Sequence, residues 1–326
     1  MGVRVLISDP LGTKAFLPDI EGTVEWTTQR QGAPGTLSFH VIDDGIPDLS
    51  EGSVVQLHVD DVPVFFGFLF TKKRDRGKNV AVTAYDQLRY LKNKDTYVYR
   101  NKTASQFIKA LADDFNLRTG ELEDTGFVIA SRREEDTALF DMIGNALDLT
   151  LTNTREMYVL YDDFGKLTLK SVANMYVGGP EGYLIIDEET AEDLEYTSSI
   201  DSDTYNKIKL TYENDETGKR DVYIAQHGEN MNQWGILQYY ETLSKGENGQ
   251  AKADALLQLY NRKTRGLRIK GAFGDIRVRG GSLVAVSLDL GDMKLMNFML
   301  VEKATHRFQE GEYRMDLTLR GGEFIA

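Results

Sequence analysis

The stretch Glu51–Asp86, EGSVVQLHVDDVPVFFGFLFTKKRDRGKNVAVTAYD, decides the fold, because the chain writes it a second time. Near the C-terminus, Gly280–Arg320 reads GGSLVAVSLDLGDMKLMNFMLVEKATHRFQEGEYRMDLTLR. Each copy opens on Gly-Ser and an apolar strand (Val54, Val55, Leu57; then Leu283, Val284, Val286). An acidic turn follows, then a second strand rich in aromatic and aliphatic residues (Val64–Leu69; Leu295–Val301). A basic patch, a glycine-containing turn and an alternating strand (Val80, Val82, Ala84; Met315, Leu317, Leu319) close each copy. The Gly-Ser pairs lie 229 residues apart (281 − 52). Working outward, Val24-Glu25-Trp26-Thr27-Thr28 resembles Leu194-Glu195-Tyr196-Thr197-Ser198, at an offset of 170 (194 − 24). Both lead into a further strand, Thr36–Asp44 and Asn206–Asp215. Such a long repeat is no solenoid period; it predicts two related β modules, the second carrying an insert.

Strands also recur at Val3–Ser8 and Thr23–Thr28, the first ending in the turn Asp9-Pro10-Leu11-Gly12. Short alternating segments separated by Gly, Pro, Asp or Asn read as an antiparallel barrel or sandwich. At Thr103 the period changes. Thr103 with Gln106 forms a capping box, and Ala104, Phe107, Ile108, Leu111 and Phe115 share one helical face. A second helix is predicted after Asp136, with Leu139, Met142, Ile143, Ala146 and Leu147 inward. The strands Met157–Leu160 and Lys166–Lys170 then flank the turn Asp162-Asp163-Phe164-Gly165. Further on, strands are predicted at Arg220–Gln226 and Trp234–Glu241, and a helix over Asn248–Lys263 with Gly266 as its stop.

The predicted class is therefore mainly β with α+β inserts: two tube-like antiparallel β-barrel domains, a small α+β domain and a helical insert. The expected domains are 1–100 (first barrel), 101–186 (α+β), 187–215 with 266–326 (second barrel), and 216–265 (insert).

Composition narrows the function. The net charge of −13 argues against a general nucleic-acid-binding surface, which needs clustered Lys and Arg. Zero cysteines exclude disulfides and thiolate metal sites. No apolar run approaches the ~20 residues that span a bilayer, and the N-terminal apolar stretch is too short for a secretory signal.

The search for catalytic residues, cofactor sites and metal ligands returns none. His40, His58, His227 and His306 stand alone, without metal-ligand spacing. There is no G-x-S-x-G elbow and no phosphate loop; Gly218-Lys219 lacks the upstream glycine, and Gly178–Gly182 is a turn cluster. Asp201 and Asp203 begin like a calcium loop, but Asn206 and Tyr212 occupy its Gly and Glu positions. The acidic run Asp187–Glu195 reads as a solvated rim rather than a glycosidase pair, which is defined by spatial separation. The patches Lys72-Lys73-Arg74 and Arg262-Lys263-Arg265 read as element ends or partner contacts. Trp26, Trp234 and Tyr239-Tyr240 leave a carbohydrate-binding module open as a further reading.

Six runs carry a family resemblance. They are Val64–Phe70 with Asn79–Leu91 and Lys102–Ile108, then Ile200–Leu210 with Val278–Val284, and finally Met299–Leu317. Together they resemble the hub proteins of contractile phage tails and tail-like bacteriocins, namely the late-control protein D group and the defective-prophage hub proteins near it. The resemblance implies a structural, non-enzymatic homotrimer whose two barrels per subunit give a pseudo-sixfold ring. That ring would join the sixfold tail tube protein to the threefold central spike, beside other baseplate proteins, in a particle assembled in the bacterial cytoplasm. DNA would at most pass through its lumen, and an acidic wall would not hold it. The alternative function is a tail-associated peptidoglycan hydrolase.

Overall fold

Period-2 alternation in Val3–Ser8, Ile20–Gln29, Thr36–Ile42, Val54–Val59, Val62–Arg74 and Asn79–Tyr85 gives each strand one apolar face. In the computed structural model, all residues are described except 11–12, 43–48, 75, 78, 180–181, 202–203, 215–217, 244–247, 310 and 322–326. Parts of the turns expected at Asp9–Gly12 and Gly178–Gly182, Asp203 of the D-x-D pair, and part of the turn around Gly218 lie outside the described residues. The chain divides into two compact units, one of Met1–Leu194 with Arg268–Arg320, the other built on Glu195–Leu267.

In the first unit the six strands pair antiparallel, in the order Ile20–Gln29, Thr36–Ile42, Asn79–Tyr85, Val62–Arg74, Val54–Val59, Val3–Ser8. Their inward residues, among them Ile7, Trp26, Phe39, Leu57 and Val82, meet in a single buried cluster. A flat sheet would spread these residues over a plane; their convergence means that the sheet curls round its core. Each such side chain, fully buried, stabilises by about 1.5–3 kcal/mol.

The C-terminal copy repeats this construction down to its irregularities. Gly52 N donates to Leu69 O (2.8 Å) and Leu69 N to Ser53 O (2.8 Å). In the second copy Gly281 N donates to Val301 O (2.7 Å) and Val301 N to Ser282 O (2.8 Å). Both glycines sit at positive φ, +88° and +97°, where a side chain would be strained. Immediately after, both long strands slip register by one residue against their partners. The slip falls between Leu69 and Thr71 against Asn79–Tyr85, and between Val301 and Lys303 against Glu312–Arg320. A bulge at the same place in both copies is a designed bend, and it fixes Phe70 and Glu302 as equivalent.

One expected equivalence is corrected. The strand Lys207–Asn214 does not take the place of Thr36–Ile42 in the second copy. It pairs with Lys219–Gln226 and, in parallel, with Gln238–Thr242, in a separate three-stranded sheet. Instead the strand Thr264–Phe273 lies beside Glu312–Arg320, with Gly274 N bonded to Tyr313 O (3.1 Å). Alternation identifies a strand but not its neighbour, so two strands of equal pattern competed for one slot on paper.

The segment between the copies is α+β. Lys94–Thr103 pairs with Val128–Ala138, a ribbon not expected from sequence. Helix Ala104–Asp114 begins at the capping box of Thr103 and Gln106, and helix Leu139–Thr154 ends at Arg155 in the left-handed region. Both pack Phe107, Leu111, Met142 and Ala146 into one core with Leu167 and Leu169 of the hairpin Tyr158–Asp162/Leu167–Ser171. The second unit is a helix on a small sheet. Gly249–Tyr260 lays Ala253 on Ile208, Leu210 and Ala225, and Gly266 lies in a strand rather than ending this helix. Trp234 closes the short helix Gly228–Trp234, so the following strand starts only at Gln238.

Candidate assembly interface

The site with the most built detail is a strand-to-strand junction between the two copies, within the first unit. The strand Lys294–Gln309 uses its first half to pair with Leu283–Asp289. Past the bulge its second half lies between two partners, Glu312–Arg320 on one side and Ile20–Gln29 on the other. The register on that second side runs from Lys303 opposite Gln29 to Phe308 opposite Val24.

Side chains lock this register. Arg30 Nε donates to Glu302 Oε2 at 2.8 Å, with only 9% and 14% of the side chains exposed. Arg30 N also donates to Glu302 O (2.9 Å), so the bulged residue serves the neighbouring strand with both side chain and backbone. Thr27 and Thr305 hydroxyls meet at 3.1 Å, and the exposed pair Arg307–Glu25 lies at 3.2 Å. Gly280 N donates to Thr28 Oγ1 (2.9 Å). A Cβ on Gly280 would come within 2.3 Å of the Gln29 carbonyl carbon, so the neighbouring backbone requires glycine there.

At the centre the His306 ring stacks on Trp26, centroids 4.6 Å apart. His306 Nε2 lies 2.9 Å from Val278 O and Nδ1 lies 2.8 Å from the Tyr313 hydroxyl. A carbonyl can only accept, so Nε2 carries the proton and Nδ1 accepts from Tyr313. Complete burial pushes the imidazole pKa down to about 4, and the ring is neutral.

Beside the junction lies an open groove of about 920 Å³, with Tyr161, Tyr176, Lys170, Arg277 and Arg279 among its lining residues. Its titratable groups form no nucleophile–base pair, and among the described residues no group of three His, Cys, Asp or Glu is placed to hold a metal.

The residues singled out from sequence are not brought together. His40 is exposed on its strand, His58 meets Phe164 edge-on (5.4 Å), and His227 caps the helix Gly228–Trp234 through Asn230 N (3.3 Å). Asp187 accepts from Thr190 and Glu189 in a turn, while Glu192 and Asp193 pair with Arg314 (3.3 Å) and Lys270 (3.9 Å). Trp26 is buried under His306, and Tyr239 stacks on Tyr260 within the second unit, so neither ring is a bare sugar platform. In the sequence His306 stands alone, with no motif beside it. The alternation of Ala304, His306 and Phe308 with polar residues marked its face, but not its partner.

Comparison with known proteins follows the same architecture. Residues 24–320 match the protein family described as YQBQ-like. The phage-like element PBSX protein XkdQ of Bacillus subtilis (strain 168) is 29% identical over 311 residues, 93% of either chain. The uncharacterized protein YqbQ of the same organism is 32% identical over 239 residues, 72% of this chain and 71% of that one. Among solved structures, the 43 kDa tail protein of prophage MuSo2 from Shewanella oneidensis has a TM-score of 0.70. It covers 98% of this chain and 97% of its own at 11% identity, which is a likeness of fold.

Proposed function

The chain belongs to the YQBQ-like family, and on that premise we propose that it is a structural component of a phage-tail baseplate, acting as its hub. In this reading three copies form a ring of six similar modules that joins a sixfold tube to a threefold spike. The domains would be the two β modules, with the α+β segment at 101–186 between them and an insert in the second.

The observation that carries the reading is the junction itself. Within one chain, the bulged half of Lys294–Gln309 accepts the edge of Ile20–Gln29. Its equivalent in the first copy, Thr71–Arg74, is exposed, and in the sheet order of the described residues Val62–Arg74 stands between Val54–Val59 and Asn79–Tyr85. The strand Asp193–Ser199, which repeats Ile20–Gln29 in sequence, would bring the matching edge from another copy. In the internal register Lys72, Lys73 and Arg74 would lie opposite Ser198, Thr197 and Tyr196, with the acidic Glu195 and Asp193 further along the incoming strand. Repeating the internal contact between copies gives two similar steps per chain, so that three chains supply the six steps of the proposed ring.

Native mass measurement with a low-resolution image of the particle tests this. A trimer mass and a ring with six lobes are expected, and Lys72→Glu with Lys73→Glu should return the mass to one chain while leaving the circular dichroism spectrum of a folded chain. A wild-type chain that stays monomeric at high concentration and forms no ring overturns the hub reading.

A further inference from the structure

Three segments far apart in sequence converge at a narrow cavity of about 20 Å³ in the first unit. Asp86 follows the strand Asn79–Tyr85, Asp162 ends the strand Tyr158–Asp162, and Arg279 precedes the Gly280-Gly281-Ser282 turn. Asp86 is 5% exposed and Asp162 is 7% exposed. Arg279 lies over the Tyr161 ring at 4.3 Å and is the cation facing both carboxyls.

The hydrogen bonds distinguish the two acids. Asp86 uses both oxygens as acceptors, Oδ2 from Gly35 N (2.9 Å) and Oδ1 from Leu88 N (3.0 Å). Such a carboxyl gains from being ionised. Asp162 Oδ1 accepts from Gly165 N (2.6 Å), but Oδ2 is buried without a hydrogen-bond partner. A buried carboxylate oxygen left unmatched is costly, whereas a protonated one becomes a donor. Two carboxylates facing one guanidinium leave one negative charge over, and one proton cancels it.

We propose that Asp86 and Asp162 form a buried binding site for one proton and one water molecule, with Arg279 as its third wall. The cavity exceeds the ~10–15 Å³ that a water needs, and the Asp86 and Asp162 carboxyls and Arg279 stand in its wall. The two carboxyls hold this one proton between them, and Asp162 Oδ2 is the oxygen that no backbone N–H opposes. The other groups facing the pair are the Gln87 amide, which favours the ionised Asp162, Asp163, whose charge strengthens proton binding, and the Tyr161 ring. Burial raises both carboxyls, Asp162 to about 6, and the Asp162 charge raises Asp86 further. Because the folded state holds a proton that the unfolded chain releases near pH 3.9, the site stabilises at acid pH. That contribution is lost as pH rises from about 4 through about 6. Proton uptake thus tightens the place where the first β copy, the α+β segment and the second copy meet.

Infrared spectroscopy of the full chain tests it, through the C=O stretch of a buried protonated carboxyl. The band should be present at pH 5, fade as pH rises through about 6, and be missing from Asp162→Asn. That variant keeps the Oδ1 acceptor and turns its amide toward Asp86, so its melting temperature should exceed the wild type at pH 8 and equal it at pH 5. Asp86→Asn, which turns an amide toward a backbone N–H, should melt lower at both. The absence of the band from the wild type at pH 5, its persistence in Asp162→Asn, or equal pH dependence of the two proteins would overturn the proposal. So would a crystal structure at pH 5 with an empty cavity.

Discussion

The strands Val62–Arg74 and Lys294–Gln309 share a backbone and differ in who lies beside them. Both pair by their first halves with a strand that follows Gly-Ser, both bulge at the equivalent residue, and both turn back into an alternating strand. After the bulge they part. Ala304, Thr305 and His306 are buried, while their equivalents Lys72, Lys73 and Arg74 are exposed. The bulged residue itself is Glu302 in one copy, clasping Arg30, and Phe70 in the other, packed edge-on to Tyr85 (5.5 Å). Ahead of the turn, Gly280 in the second copy stands where the first has the exposed Glu51. Backbone geometry follows the repeat; side-chain choice follows whether the edge is covered within the chain.

This comparison can be broken most severely at Glu302. Replacing it with alanine strands the Arg30 guanidinium, 9% exposed, without its partner, and should cost about 3–5 kcal/mol in urea unfolding. Phe70→Ala at the equivalent place removes packing and the ring under the half-buried Arg89 (5.3 Å) but breaks no buried ion pair, and should cost clearly less.

Gly280→Glu sharpens the point by writing the first copy's residue into the second. The new Cβ meets the backbone of Gln29, which cannot yield as a side-chain end would, so a loss of about 1–3 kcal/mol or more is expected. The reciprocal Glu51→Gly gives up only an exposed contact to Lys72 (3.5 Å) and should stay within about 0.5 kcal/mol. Equal losses in the two variants would contradict the idea that the covered edge selects glycine.

His306 gives the smallest effect at neutral pH and one that grows in acid. Its folded-state pKa lies below the unfolded value of ~6.5, so its contribution is complete above that pH and is lost as pH falls toward about 4. The full loss amounts to roughly 3 kcal/mol for a shift of this size. The Asp86–Asp162 pair runs the opposite way across the same window, so wild-type stability between pH 4 and 6.5 should be flatter than either group alone would make it. In His306→Gln the melting temperature should rise as pH falls through this window; in Asp162→Asn it should fall. Parallel profiles in wild type and both variants would show that neither group titrates as assigned.

Much of this was written in the residues themselves. The Gly-Ser pairs, the alternating strands, the Thr103–Gln106 capping box and the Asp162–Gly165 turn depend on neighbours within a few residues, where the periods of helix and strand and the freedom of glycine are fixed locally. The sequence therefore determined that one β construction occurs twice, with an α+β segment between. Tertiary structure decided the partners. Which of two equally patterned strands, Lys207–Asn214 or Thr264–Phe273, completes the second copy depends on pairing across the sheet, and nothing in a strand's own alternation records it. The stack of His306 on Trp26, the burial of Glu302 with Arg30, and the meeting of Asp86 with Asp162 join residues 76 to 280 positions apart. Their chemistry arises from desolvation, which a side chain acquires only when distant parts of the chain close over it.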